Sequence, residues 1–411
     1  MMLQSFADAV GGKHRVIGGP FGSKLTQAHY VADGVPVIRG RNMDLGREIA
    51  GDFVFVSHEK FAQDLTTNTA RPGDIIVTQR GTLGQVAIVP DSSYKQYVVS
   101  QSQMAVSVDQ KVADRDFVYH YLTSSFFLEY IKTSTIQTGV PHINLGILRD
   151  APVLWPDRHQ QRAIATVLSA LDEKIELNRR MNETLEASAR ALFRDWFVDF
   201  GPTRAKAEGR PAYLAPDLWS LFPDRLGENG VPEGWEWGTL NEVLVLQRGF
   251  DLPKGDRTDG AFPVIAASGP SGTHNEKRVD GPGVCTGRSG VLGGVYYVAE
   301  DFWPLNTSLW IKEYPNSTPL HAFHVLLEID IGSFNAGSAV PTLNRNHIHN
   351  LPVVKPPMVA ILAFDKIAGE LYAKREANIA QAATLAATRD ALLPKLMSGE
   401  LRVRDAKALA A

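Results

Sequence analysis

Two short stretches carry the side chains best suited to recognition chemistry. Gln79-Arg80-Gly81-Thr82-Leu83-Gly84 separates two apolar runs, Asp74–Thr78 and Gln85–Val89, and so predicts a hairpin with a polar, cationic tip. Val284–Gly290 repeats the arrangement, with Arg288 at the turn and Ser289 beside it. An arginine there offers a fork of donors that fits a guanine edge or a phosphate, and Gln or Ser beside it suits adenine or the backbone. The plain alternative for any single arginine is a solvated turn. Recurrence at a matched place in both stretches sets nucleic-acid contact against it. Lys24, Arg39, Arg41, Gln101 and Gln103 are supporting candidates in the first half of the chain, and Asn306, Ser308, Arg345 and His347 in the second.

Catalytic and metal-binding patterns are weaker. Pro156-Asp157 with Asp172-Glu173-Lys174 has the letters of a metal-dependent nuclease, but its second half falls inside a long helical run, where solvated charges are the simpler reading. His321 and His324 sit three apart without the further ligand a zinc site needs, and His347-x-His349 is no better. The sequence contains neither a phosphate-binding G-x-x-x-x-G-K-[ST] loop nor an N-P-P-Y-type methylation motif. The expectation is a non-catalytic chain with no cofactor or metal of its own.

The elements that must position these stretches are long helices. Ile164, Leu168, Leu171, Ile175, Asn178, Asn182, Leu185, Ala189, Leu192 and Trp196 recur at alternating steps of four and three, the seam spacing of a coiled coil. The spacing predicts one helix over 158–199. Asn178 and Asn182 lie mid-seam, where polar side chains fix register. A shift of 200 superposes Val140-Pro141 on Val340-Pro341, Asn144 on Asn344, Pro152-Val153 on Pro352-Val353, and Asn178, Leu185 and Leu192 on Asn378, Leu385 and Leu392. Sixteen positions of 139–200 are identical in 339–400. Because the match runs through non-helical Val-Pro and Pro-Val segments, the chain is read as an internal duplication. The second helix, 360–397, has a poorer seam: Arg375 and Arg389 occupy core positions, and Pro394 is expected to truncate or bend the last turn. Asn144 and Asn344 read as turn-capping residues. Trp196, Phe197 and Phe200 read as core at the junction with the first globular part or as an exposed anchor, with core preferred.

The fold class that follows is α+β: two mixed α/β recognition domains joined by two long antiparallel helices, a pseudo-twofold dumbbell. The expected segments are a first domain at 1–155, a first helix at 156–200, a connector at 201–232, a second domain at 233–354, and a second helix with tail at 355–411. Net charge of −3 neither announces nor forbids a nucleic-acid partner. The single cysteine, Cys285, excludes an internal disulfide framework and points to a reducing, cytoplasmic location. No apolar run approaches a membrane span, and Met1–Asp8 lacks a signal-peptide layout.

Several phrases together resemble a known family: G-P-F-G-S at Gly19–Ser23, G-D-I-I-V-T-Q-R-G at Gly73–Gly81, G-V-P-H-I-N at Gly139–Asn144, L-F-R-D-W-F-V-D-F at Leu192–Phe200, V-P-E-G-W at Val231–Trp235 and L-P-V-V at Leu351–Val354. In their order and duplication they are similar to the DNA-specificity subunit of type I restriction–modification systems. The first copy lacks a counterpart of Pro232–Trp235. The resemblance implies double-stranded DNA as ligand, with each domain reading half of a split asymmetric target. It implies two methyltransferase subunits docked through the helices and restriction/translocase subunits joined through that assembly. S-adenosylmethionine, ATP and magnesium would then reside on the partner subunits only. A non-catalytic coiled-coil scaffold whose domains bind proteins is the alternative.

Overall fold

The structure is a computed structural model that describes residues 4–43, 46–92, 94–135, 141–153, 155–334 and 341–410. Gly139, Val140 and Val340 of the repeated segments therefore lie outside the described residues. Helices and sheets are segregated in the manner of an α+β chain. Two compact units emerge: Met1–Arg180 with Asn378–Ala411, and Met181–Ala377. These divide both long helices between the units, whereas the sequence reading set the helices apart as separate segments.

Within the first unit a four-stranded antiparallel sheet runs Val16–Gly18, Gln103–Val106, Ile75–Thr78, Val86–Ile88. Its strands are short and rich in β-branched residues, which suit a pleated, covered surface. A second sheet of five strands carries Val35–Ile38 beside Tyr97–Val99 in parallel. The aromatic segment that follows forms two helices, Arg115–Thr123 and Ser125–Ser134. Ser124 breaks them: its backbone is extended, and its hydroxyl accepts from Phe127 N–H as an N-cap. Phe6, Phe117, Tyr121, Phe127 and Trp155 form the core with Ile164, Leu168 and Leu171 of the first long helix and Leu392 of the second. Leu385 packs at its edge. The outer part of the helical stripe is thus covered largely by the globular part.

The second unit repeats the plan. Its four-stranded sheet is Val245–Arg248, Ser308–Glu313, Gly283–Gly287, Val295–Val298. Phe262–Ala266 lies parallel to Trp303–Pro304, as Val35–Ile38 lies to Tyr97–Val99. Trp196, Phe197 and Phe200 are buried here with Phe222, Trp235 and Phe364. They are core, but of the second unit, which corrects the expected junction with the first globular part.

The first long helix is α-helical over Arg158–Phe193 and then widens into a π turn, Arg194–Val198, so it is not uniform to 199. That turn feeds Trp196 and Phe197 into the core, and Phe200 follows in a left-handed conformation (φ 53°), one a bulky residue adopts only where packing holds it. The second helix spans Met358–Ser398 and passes through Pro394 without ending. In the first unit the helices run antiparallel: Arg389 Nη1 donates to Asp172 Oδ1 at 2.7 Å, while Asn178 Nδ2 donates to Asn378 O at 3.4 Å and to Gln381 Oε1 at 2.9 Å. Both asparagines are buried, whereas Ile175 is half-buried. In the second unit Arg375 meets Glu186, again antiparallel to the contact of Ala189 and Phe193 with the Phe364–Tyr372 stretch. Asn182, Leu185 and Leu192 are half-buried there. The two seam arginines are thus answered by carboxylates.

Candidate nucleic-acid interface

The two tips are held by the same main-chain device. In the first unit Gln79 and Arg80 N–H donate to Ser102 O at 2.8 and 3.3 Å, and Gln79 O accepts from Ile143 N–H at 2.9 Å. In the second, Arg288 and Ser289 N–H donate to Thr307 O at 2.9 and 3.1 Å, and Arg288 O accepts from Leu343 N–H at 2.8 Å. Isolated bridges pair Arg80 with His142 and Ser289 with Thr342. Gln79 is therefore the counterpart of Arg288, and Arg80 of Ser289. The sequence reading had matched the arginines to each other. They are offset by one residue, which on an extended segment turns the side chain to the opposite side.

Side-chain bonds agree with this offset. Gln79 Nε2 donates to Gln101 O at 2.6 Å, and Arg288 Nη1 donates to Asn306 O at 3.3 Å. Gln101 and Asn306 each precede the carbonyl that receives the tip. Both side chains thus tether the neighbouring loop, while Arg80 is exposed and half-exposed Ser289 takes its place in the other unit. Burial lowers the pKa of Arg288, and the nearby Arg248 lowers it further.

Two glycines permit the loop to approach. Gly19 N–H donates to Gln103 O and Gly249 N–H to Ser308 O. A β-carbon on Gly19 would lie 1.9 Å from Ser100 O, and one on Gly249 2.2 Å from Leu305 O. The same clash at equivalent places shows one framework built twice.

The other candidates sort by exposure. Lys24 is exposed on the turn Gly22–Lys24. Arg41 is exposed with Nη2 donating to Asp52 O at 3.0 Å. Gln101 Nε2 donates to Gly22 O at 2.6 Å and Leu25 O at 3.1 Å, fastening that loop. Arg39 lines a groove with Tyr30 and Ser102. Asn306 Nδ2 donates to Asp251 Oδ1 at 2.5 Å. Arg345 and His347 are exposed on the helix Arg345–His349, which follows the strand-like Leu343 that binds the second tip. Gln103 and Ser308 are corrections. Gln103 is 1% exposed and accepts from Ser100 Oγ, and Ser308 is fully buried with Oγ donating to Ile265 O at 3.0 Å. Strand alternation turns them into the sheet, so neither side chain reaches a ligand. Thr26, Gln27 and Tyr30, which line the groove with Arg39, went unnoticed because they lie in or beside elements of two or three residues, too short for a periodic signal.

Asn144 and Asn344 cap short helices, accepting from Ile147 N–H at 2.9 Å and Asn346 N–H at 3.1 Å. Asp172 is not a solvated helix charge: it is buried against Arg389, with His120 Nδ1 3.7 Å away. His321 Nδ1 lies 2.8 Å from Ser317 Oγ, and His324 Nε2 lies 3.3 Å from Tyr372 Oη. Burial holds these histidines far below the ordinary range, to about 3 for His321 and about 4 for His324. They are neutral core groups. His349 Nε2 accepts from Leu246 N–H at 3.0 Å. Among the described residues no group of three or more His, Cys, Asp or Glu could hold a metal, and no helix is long and apolar enough to cross a membrane.

Residues 26–187 match the type I restriction modification DNA specificity domain. The chain is 24% identical to the type I restriction enzyme MjaIX specificity subunit of Methanocaldococcus jannaschii, over 86% of this chain and 85% of that one. Residues 26–187 thus carry a type I DNA-specificity domain, and most of the chain is similar to type I specificity subunits. Type I specificity subunits are DNA-recognition subunits without catalysis of their own. The type I restriction enzyme HindI specificity subunit of Haemophilus influenzae is 23% identical, over 84% of this chain and 90% of that one. The crystal structure of a type I restriction–modification S subunit from M. genitalium shares the fold, with a TM-score of 0.53, 18% identity and 96% coverage of each chain.

Proposed function

We propose that each recognition domain reads one half of a bipartite, asymmetric DNA target. The observation that carries this is a common scaffold with different side chains at equivalent, exposed or half-exposed places. Arg80 stands opposite Ser289, Gln101 opposite Asn306 and Ser102 opposite Thr307, all on one hydrogen-bonded frame. An identical frame presents the same distances to a duplex, while unlike donors select unlike base edges. Lys24, Arg41, Arg80, Arg345 and His347 are the exposed cationic or polar groups assigned to DNA, some to phosphates and some to bases.

The long helices, in this reading, set the gap between the half-sites and dock two methyltransferase subunits, with restriction/translocase subunits joining through that assembly. S-adenosylmethionine, ATP and magnesium would be held by those partners. A cytoplasmic location fits that assembly. The test is selection of duplexes from a random pool by the full-length chain at two salt concentrations. The expected result is a motif in two parts separated by a fixed unselected gap, with affinity falling steeply as salt rises, since phosphate contacts release counterions. Recovery of a single continuous motif, or of none, would refute the bipartite reading.

A further inference from the structure

Arg39 occupies an unusual setting. It ends the strand Val35–Ile38 and opens a tight turn, in which its own N–H donates to Asn42 Oδ1 at 3.0 Å. Asn42 is fully buried, and its Nδ2 donates to Ala50 O at 3.0 Å and Asp52 O at 3.1 Å, so the turn is fixed from behind. The side chain lines an open groove of about 690 Å³, with Thr26, Gln27 and Tyr30 on one side and Gln101 and Ser102 on the other. Among the described residues no carboxylate lines it. The far wall is rigid: Gln101 is bonded to Gly22 O and Leu25 O, and Ser102 O receives the tip that carries Arg80.

The guanidinium lies 5.8 Å from the Tyr30 ring centroid, near the outer limit of a cation–π contact. Its Nε and Nη2 are shielded from water and have no hydrogen-bond partner among the described residues. Two coplanar donors of the best hydrogen-bonding side chain are thus left unsatisfied, an arrangement that is costly unless something supplies acceptors. A folded chain at rest would keep this arginine in water or on a carboxylate. Here it is parked against a ring, beside the loop that holds the recognition tip.

We infer that Arg39 is a specificity-determining residue of the first recognition domain, swinging from Tyr30 to give its paired donors to the O6 and N7 of a guanine. The inference rests on the DNA-reading function proposed above. A phosphate also offers paired acceptors, and the duplication decides between the two. Ser100 N–H donates to Ile38 O and Leu305 N–H to Ile265 O, and Ile38 and Ile265 hold the same place beside their parallel neighbours. The residue equivalent to Arg39 is therefore Ala266. The sugar–phosphate backbone is alike in both half-sites, so a positioning contact would serve both domains. A base contact is needed only where the sequence calls for it. An arginine in one copy and an alanine in the other matches the second case.

The experiment repeats the random-duplex selection with full-length Arg39→Gln and Arg39→Lys chains. In the wild type, one position of one half-site should be guanine. Arg39→Gln should lower the preference for guanine at that position alone, roughly 5- to 150-fold for one lost bidentate contact. Arg39→Lys should keep part of it. The other half-site should be selected as before, which shows in the same molecule that the chain is folded. Uniform weakening on all duplexes with a salt dependence shallower by about one ion would make Arg39 a phosphate contact and overturn the assignment. An unchanged motif would make it a packing residue and overturn it equally. A wild-type chain that selects no motif would instead refute the DNA-reading function on which the assignment stands, and the assignment with it.

Discussion

Replacing Arg389 with methionine should destabilise the first unit out of proportion to the side chain's exposure. Arg389 Nη1 is 2.7 Å from Asp172 Oδ1, and the Asp172 side chain is 8% exposed. The second carboxylate oxygen has no hydrogen-bond partner, so the arginine supplies most of what water would have given. Removing one member of a buried pair costs about 3–5 kcal/mol. Arg389 is itself 27% exposed, which places the expected loss near the lower end, about 3 kcal/mol. Asp172→Asn should cost only about 1 kcal/mol, because the freed arginine is already bonded to Asp390 and reaches solvent. The double variant should lie within about 1 kcal/mol of wild type, since no charge is then stranded. Position 372, which follows Asp172 at the repeat distance, is a buried tyrosine facing the same cluster as Ala189, a solution that uses no charge. Acid should partly rescue Arg389→Met. His120, held at about 3 by burial and by Arg47 and Arg389, loses one of the cations that keep it neutral and can take a proton beside the bare carboxylate. Urea denaturation with hydrogen exchange resolved over 115–123 and 158–180 measures both effects. Costs that simply add in the double variant would refute the stranded-carboxylate argument.

Three further outcomes follow from the structure. His120, His321 and His324 have folded pKa values of about 3, 3 and 4 against about 6.5 unfolded, so the unfolded chain takes up protons first and stability falls as pH drops from about 6.5 toward those values. At pH 5 each contributes a loss of about 2 kcal/mol, and His324→Phe, placed among Phe193, Phe323 and Phe364, should shrink the acid-induced loss by about that amount; an unchanged difference between pH 7.5 and pH 5 denaturation curves contradicts this. Gly19→Ala and Gly249→Ala should each push one loop off its tip and abolish selection of one half-site while leaving the other, as read by duplex selection. Arg80→Ala should weaken DNA binding without changing the melting temperature, whereas Arg288→Ala should lower both, because only Arg288 tethers the loop at Asn306; equal thermal effects would count against the offset between the two tips.

Much of the frame was readable from sequence because its signals are periodic or local. The alternating four–three spacing marked Ile164, Leu168 and Leu171, and the repeated Asn178 and Asn378 meet across the helices because buried polar groups must find partners. Asn144 and Asn344 acted as caps through purely local geometry. What escaped reading depends on the partner of each backbone group. Gln103 looks like an exposed polar residue until strand pairing turns it inward. Arg80 and Arg288 look equivalent until Ser102 and Thr307 show which residue each carbonyl receives. Asp172 looks like a solvated charge until Arg389 arrives from the other end of the chain. Pro394 was expected to truncate or bend the last turn, and the helix runs through it to Ser398, so one missing N–H does not end it.

The carbonyls of Ser102 and Thr307 that hold the two tips belong to the main chain, and the side-chain tethers come from Gln79 and Arg288, so the anchoring does not depend on what stands at Arg80 or Ser289. Under the proposed DNA-reading function, a single-codon change at Arg80 or Ser289 would therefore rewrite the address the molecule recognises without first breaking the scaffold that presents it. Novelty in targeting is then cheap to reach by drift, and the same property makes these exposed places the natural sites for laboratory reprogramming, with Gly19 and Gly249 left untouched.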